Sequence, residues 1–245
     1  MPDAGVVVLL LRHGQIASHR GDVALTAEGV HTARRAGQVL AATVRAAEVD
    51  AQGAPVHVLS GSTLRTRQTA EHLSTALGTT APRVAFALRN PDLYLAGERV
   101  EMVSSPEALA AQVPGLTPEQ CAAHPFFGTF VGHADRVGWW LTHPSPPGDD
   151  ARAVAARVRA FVASLLDLPA PQGTVIAVTH SPLVRAVGVA CGDEDTGEPA
   201  HLSGYLLAAR GTGTRGVTGA RFDPFSDSLA AVEHRARPLV IPDRE

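Results

Sequence analysis

Lysine is missing from this 245-residue chain: all 21 of its Lys and Arg positions are arginine. That excludes the lysine of a phosphate-cradling P-loop, a lysine Schiff base and a lysine general base. Any anion site must rely on arginine, whose planar fork suits phosphoryl oxygens. Cysteine is scarce. Cys121 and Cys191 stand far apart with no CxxC pair, which excludes a zinc ribbon and a disulfide scaffold and leaves each to act as a small buried hydrophobe. No compact ligand spacing such as HExxH is present, so no metal site is expected, and His124, His133 and His143 do not form one. Excess charge is missing too. A net charge of −3 gives no basic field for nucleic acid. The run Val6 to Leu11 holds six apolar residues, too few for a signal core or a membrane span, so no membrane association is expected and the cytoplasm is the expected location.

What is present suffices for a folded domain. The chain is 45% hydrophobic and 18% charged, enough for one sizeable core. Val6 to Leu11 does not alternate, as in a strand buried on both faces of a parallel sheet. A helix near 27–47 follows, with Thr26 able to cap it and Glu28 in its first turn. Val56 to Leu59 reads as a second strand, residues 63–77 as a helix ended by Gly78, and Arg83 to Leu88 as a third strand. Residues 90–149 change character, with many prolines and the pairs Phe126-Phe127 and Trp139-Trp140. Short helices are expected there near 105–112, 117–123 and 133–142, and residues 96–149 read as an insertion over the sheet. A long helix begins at Asp149 or Asp150. Thr174 to Val178 is another buried strand, followed by a helix from Pro182 to about Ala190 with proline in its first turn. The tail carries a strand near Tyr205 to Ala209, a Gly/Thr-rich turn at 211–216 and one more strand. Alternation of β and α predicts an α/β fold, a mostly parallel central sheet with helices on both faces, in one domain spanning 1–245.

Three polar clusters fall at the carboxyl ends of these strands. They are Arg12-His13, then Ser60, Ser62 and Arg65, and then His180-Ser181. Ligands of open parallel sheets bind outside the carboxyl ends of strands. If the strands are neighbours, two guanidiniums, two imidazoles and two helix N-termini share one crevice, and a tetrahedral oxyanion is its natural guest.

These clusters resemble the histidine phosphatase superfamily, the phosphoglycerate-mutase-like fold. Leu11-Arg12-His13-Gly14 is similar to the family's RHG signature. Leu25-Thr26-Ala27-Glu28-Gly29 resembles its LTxxG helix start. Ser60 to Glu71 (SGSTLRTRQTAE) resembles its SSxLxRAxQTAE block, and Val178-Thr179-His180-Ser181 its second histidine. The blocks occur in the family's order over roughly 6–190. The resemblance implies a three-layer sandwich and a covalent mechanism. His13 would take the phosphoryl group and pass it to water, while Arg12, Arg65 and His180 hold its oxygens. No cofactor is implied. Two departures stand out: His19 where the family often has Asn, and Thr32 where it usually has Gln.

A leaving alkoxide needs a proton, which the family commonly draws from a carboxylic acid after the third strand. Asp92 is the expected acid, with Glu98 second and Glu101 beyond it. Asp92 capping a turn after Pro91 is the alternative. His19, Ser62 and Ser181 are candidate substrate contacts, Ser62 equally a helix cap, and Arg185 reads as a structural ion pair. The expected activity is metal-independent hydrolysis of a phosphorylated small molecule. A mutase, a phosphoramidase or phosphohistidine phosphatase, and a non-catalytic phospho-ligand binder remain open. Few basic residues in the insertion, Arg99 and Arg136 alone, favour hydrolysis over transfer. The leaving group and the oligomeric state are not legible.

Overall fold

The structure, a computed structural model, describes residues 5–18, 21–48, 55–167, 173–210 and 216–241. Seven strands form one sheet in the order β3-β2-β6-β1-β7-β8-β9. These are β1 (Gly5–Arg12), β2 (Val56–Ser60), β3 (Arg83–Val84), β6 (Gly173–Thr179), β7 (Gly204–Arg210), β8 (Val217–Phe222) and β9 (Arg237–Pro238); β4 (Leu93–Leu95) and β5 (Glu98–Val100) make a separate hairpin. The β3, β2, β6 and β1 strands run parallel, and β7, β8 and β9 extend the sheet beyond β1, each antiparallel to the strand before it in the sheet. The parallel half carries the polar clusters at its carboxyl edge.

The uniform apolarity of β1 is explained by its two faces. Val6, Val8 and Leu10 join one core cluster, and Leu9 and Leu11 join the other. The second cluster lies under α1 (Ala27–Glu48), α2 (Leu64–Leu77) and α9 (Leu229–Glu233). The first lies under the insertion helices α3 (Pro106–Ala110), α4 (Pro118–Ala123), α5 (Pro125–Gly132) and α6 (Arg136–Thr142), with α7 (Ala151–Ser164) and α8 (Ser181–Ala190). The result is a sheet between two helical layers.

Three expectations are corrected. The third strand is two residues long and passes into a 3₁₀ turn at Phe86–Leu88. The insertion holds four helices rather than three. The extra one, α5, starts where the His124 ring accepts hydrogen bonds from the Phe126 and Phe127 amides. The hairpin of β4 and β5 was not foreseen. The turn at 211–216 lies, but for its last residue, outside the described residues.

The sequence blocks act first as packing devices. Gly29 lets the first turn of α1 lie on the chain just after His13, where a Cβ would come 2.3 Å from the Gln15 carbonyl oxygen. Thr26 donates its amide to that same carbonyl at 3.0 Å, and its hydroxyl accepts the Gly29 amide. The Gln68 side-chain oxygen accepts the Leu25 amide at 2.9 Å.

Candidate active site

His13 follows the last residue of β1, and its backbone is held from both flanks. The His13 amide donates to the Thr179 carbonyl on β6 at 2.9 Å, and the Gly14 amide donates to Thr69 Oγ1 on α2 at 2.9 Å. His13 Nδ1 lies 2.8 Å from the Gly14 carbonyl oxygen. A carbonyl only accepts, so the proton sits on Nδ1 and Nε2 carries the lone pair. Burial pushes the His13 pKa down to about 2, helped by Arg65, Arg12 and His201 and opposed by the Gly14 bond. The ring is therefore a neutral imidazole at physiological pH, the state a nitrogen nucleophile requires.

Around it the structure assembles a cavity of about 70 Å³. Arg12, His13, Arg65, His180 and Ser181 all line it, joined by Asn90, Met102, Phe130, Arg136, Val137, Pro182 and Glu198. The His13 and His180 ring centres are 5.5 Å apart, and those of His13 and His201 6.1 Å. The volume is far below that of an ordinary ligand pocket and suits one small group.

Unmet hydrogen-bonding demand says which group. Arg12 Nε, Arg65 Nε and Ser181 Oγ are buried and make no hydrogen bond. Each such donor costs about 1–3 kcal/mol if it stays unmatched. Ser181 also stands at the start of α8, where the helix dipole favours negative charge. Burial depresses the pKa of both Arg12 and Arg65. Glu198 opposes this for Arg12, and Glu101 and then Asp22 oppose it for Arg65. Arg12 Nη2 is 3.1 Å from Glu198 and its Nη1 donates to the Pro199 carbonyl; Arg65 Nη1 is 3.7 Å from Asp22. Arg136 has no ion-pair partner among the described residues. Donors and positive charge of this kind call for a guest rich in acceptors and negative in charge.

Other expected contacts fall elsewhere. Asp92 does not line the cavity. It is ion-paired with Arg89 and Arg99, with Arg157 at 4.0 Å, and the two nearer guanidiniums hold its carboxyl down at about 2 against the effect of burial. A carboxyl so held donates no proton near neutrality. Glu98 is exposed on β5, paired across the hairpin with Leu95. Ser62 is exposed and outside the cavity, and no side chain caps α2 at Thr63. The first free amide of α2, on Leu64, is taken by Asp22 at 2.7 Å, so that end of α2 does not serve the cavity, whereas Ser181 and Pro182 at the start of α8 line it. Thr32 donates to Glu28 on its own helix. His19 lies outside the described residues. Among the described residues no three His, Cys, Asp or Glu side chains cluster as a metal site would.

The residue that reaches the cavity after the third strand is Asn90, whose amide donates to Glu101 at 2.7 Å. Glu198 is the one carboxylate lining the cavity among the described residues. Neither of these, nor Arg136 or His201, carried a motif. Asp92→Asn is expected to leave hydrolysis of p-nitrophenyl phosphate within about twofold of the parent while lowering Tm. The ion-pair contribution is fully present above the ordinary aspartate value of 3.8 and fades as pH falls toward 2, so parent and variant should converge in Tm in strong acid. A large loss of turnover would return Asp92 to the chemistry.

Residues 8–93 match the model of the histidine phosphatase superfamily (branch 1). No curated protein matches the chain in sequence. Among solved structures, a mycobacterial glucosyl-3-phosphoglycerate phosphatase is similar at 21% identity and TM-score 0.51, covering 84% of this chain and 91% of that one. A structure titled mycobacterial hydrolase 2 gives 21% identity and TM-score 0.53 over 100% and 94% of the two chains. A phosphoglycerate mutase from Bacillus anthracis gives 17% identity and TM-score 0.52 over 84% and 88%. At these identities the likeness speaks for the fold.

Proposed function

We propose, from the premise that the chain belongs to the histidine phosphatase superfamily, that it hydrolyses a small phosphomonoester without metal, through a phosphohistidine on His13. Membership supports a phosphatase or mutase activity. The observation that carries the finer reading is the cavity itself, a neutral imidazole with Nε2 unprotonated among buried guanidinium and hydroxyl donors that lack partners. His13 Nε2 attacks phosphorus, the P–O bond to the leaving group breaks, and water then takes the phosphoryl group from nitrogen. Arg12, Arg65, His180 and Ser181 hold the oxygens, and their bonds accelerate the reaction to the extent that they tighten on the group in flight.

Hydrolysis is favoured over transfer because little in the insertion can grip a second anion. Arg99 is committed to Asp92 and Glu101, which leaves Arg136 as the arginine of the insertion that reaches the cavity. Residues 96–149 act as a cap on a single domain. Phe127, Phe130 and Trp140 are buried in the same core cluster as β1, and Phe130, Arg136 and Val137 close the cavity.

A second reading is favoured by Asn90. An amide stands where the cavity meets the segment after the third strand, and Glu198 is ion-paired with Arg12. A site without a well-placed acid works best on substrates whose leaving group needs little help, which includes phosphoramidates already protonated on nitrogen, from which a neutral amine departs. The test of the main reading is turnover of p-nitrophenyl phosphate with excess EDTA. Undiminished rates are expected, and loss on chelation that zinc or magnesium restores would overturn it.

A further inference from the structure

Hydrolysis of an alkyl phosphate needs a proton at the leaving oxygen, and Asp92 does not line the cavity. Glu198 does, from the loop between α8 and β7. Its carboxylate is 3.1 Å from Arg12 Nη2 and 3.7 Å from Arg185 Nη1, and its side chain is 46% exposed. The loop is fixed to Arg12 by backbone as well as side chain. The Arg12 amide donates to the Ser203 carbonyl at 3.0 Å, the Leu202 amide to the Arg12 carbonyl at 2.9 Å, and Arg12 Nη1 to the Pro199 carbonyl. Leu202, fully buried, is held at a φ of +66°, a left-handed conformation that a leucine keeps only where its surroundings impose it. The course of the loop past Arg12 is therefore set by tertiary contacts, and Glu198 comes with it.

Substrate acts differently on the two acids. Asp92 is paired with Arg89, Arg99 and Arg157, none of which lines the cavity. A bound phosphoryl group leaves those pairs in place and Asp92 ionised. Glu198 shares its nearer arginine with the substrate. As Arg12 turns charge toward the phosphoryl oxygens, the dianion also sets like charge beside the Glu198 carboxylate, whose affinity for a proton rises. Arg65 and Arg136, the other guanidiniums lining the cavity among the described residues, face the same dianion. Arg185 is already bonded to Asp135 and Asp195. Glu198 also lines a hollow of about 310 Å³, where Glu194, Asp195, Asp223 and Asp227 push its proton affinity up and Arg185 and Arg221 push it down. The exposed half of the side chain lets solvent deliver the proton.

The geometry points to Glu198 as the proton donor of the reaction, a role that rests on the phosphatase reading above. As His13 Nε2 bonds to phosphorus and the P–O bond breaks, the Glu198 proton passes to the departing oxygen. The carboxylate so formed takes a proton from the water that attacks phosphorus, and the N–P bond breaks to release inorganic phosphate. The substrate class is then an unactivated alkyl phosphate, the linkage that gains most from the proton.

The experiment compares benzyl phosphate, whose alkoxide is strongly basic, with p-nitrophenyl phosphate, similar in size, whose phenolate leaves unaided. kcat/KM covers the steps up to the first departure, so it isolates proton donation from the later use of water. Glu198→Gln keeps an oxygen for Arg12 but has no proton to give. It should lower kcat/KM for benzyl phosphate by on the order of a hundredfold or more, and for p-nitrophenyl phosphate by less than about tenfold. Glu198→Asp keeps a titratable carboxyl and should fall between parent and Gln variant on benzyl phosphate. If the Gln variant does not fold, the same split is read on the Asp variant. Equal losses on the two substrates would show that Glu198 only holds Arg12, and no loss on either would show that the proton comes from another group; both results overturn the proposal. So does a parent protein that turns over p-nitrophenyl phosphate but not benzyl phosphate, which leaves the phosphatase reading standing. If the parent is inert toward p-nitrophenyl phosphate as well, the failure lies in the phosphatase reading itself.

Discussion

His13→Ala should abolish turnover, with kcat/KM for p-nitrophenyl phosphate falling by at least ~10⁴-fold. The size follows from the role. A residue that only helped to hold the phosphoryl group would contribute one charge-assisted bond, about 1.5–3 kcal/mol, and its loss would cost on the order of a hundredfold. A nucleophile leaves no covalent route behind. His13→Asn sharpens the comparison, because a polar side chain stays on the residue after β1 while the attacking nitrogen is gone. Trapping supplies a second readout. Parent protein quenched during turnover should carry phosphate on one histidine, stable in base and labile in acid, and neither variant should. The neutral state of His13 also matters. Burial and two guanidiniums keep its proton off, so no activation step by a separate base is needed. Residual activity in His13→Ala within tenfold of the parent, or a phosphoryl adduct on another side chain, would end the mechanism.

How much of this could be read from the chain is clear residue by residue. Strand β1 and its terminal Arg12-His13 were legible because a short apolar run and a polar stop are local signals, and β6 with His180-Ser181 repeats the pattern. The parallel pairing of β1 with both β6 and, through it, β2 then brings these ends together. Thr69 and Gly29 were visible only as parts of a familiar block. Their physical work, accepting the Gly14 amide and letting α1 approach Gln15, needed coordinates. Asp92 lies outside the cavity for a definite reason. Its position after the strand is a one-dimensional fact, whereas its fate is set by Arg89, Arg99 and Arg157, drawn from three elements. Glu198 and His201 come from the loop between α8 and β7, which is anchored by the Arg12 amide on the Ser203 carbonyl and the Leu202 amide on the Arg12 carbonyl. Contacts that join residues nearly 190 apart leave no periodicity to find.

Arg185→Met should be the most damaging change away from the cavity, lowering stability by about 3 kcal/mol and Tm by about 6–12 °C. The guanidinium is 2% exposed and is gripped by three carboxylates. It donates to both oxygens of Asp135 at 2.7 Å each, to Asp195 at 2.9 and 2.5 Å, and faces Glu198 at 3.7 Å. These acids belong to different pieces of the protein. Asp135 caps α6 by accepting the Gly138 amide, and a Cβ on Gly138 would come 2.6 Å from the guanidinium. Asp195 and Glu198 lie in the loop that supports Arg12. Methionine fills much the same volume but leaves three like charges facing one another. Asp135 and Glu198 are about half exposed and can turn to water, which keeps the loss at the lower end for a broken buried pair. The same clamp sets both Arg136, next to Asp135, and Glu198 against the phosphoryl cavity, so kcat/KM measured well below the variant's Tm should also fall, by on the order of tenfold. Arg185→Lys keeps the charge without the paired fork and should land between the two in both assays. A methionine variant that melts with the parent would show that the carboxylates are content without their arginine. A variant that melts early yet turns over normally when cold would show that the clamp serves the fold and not the site.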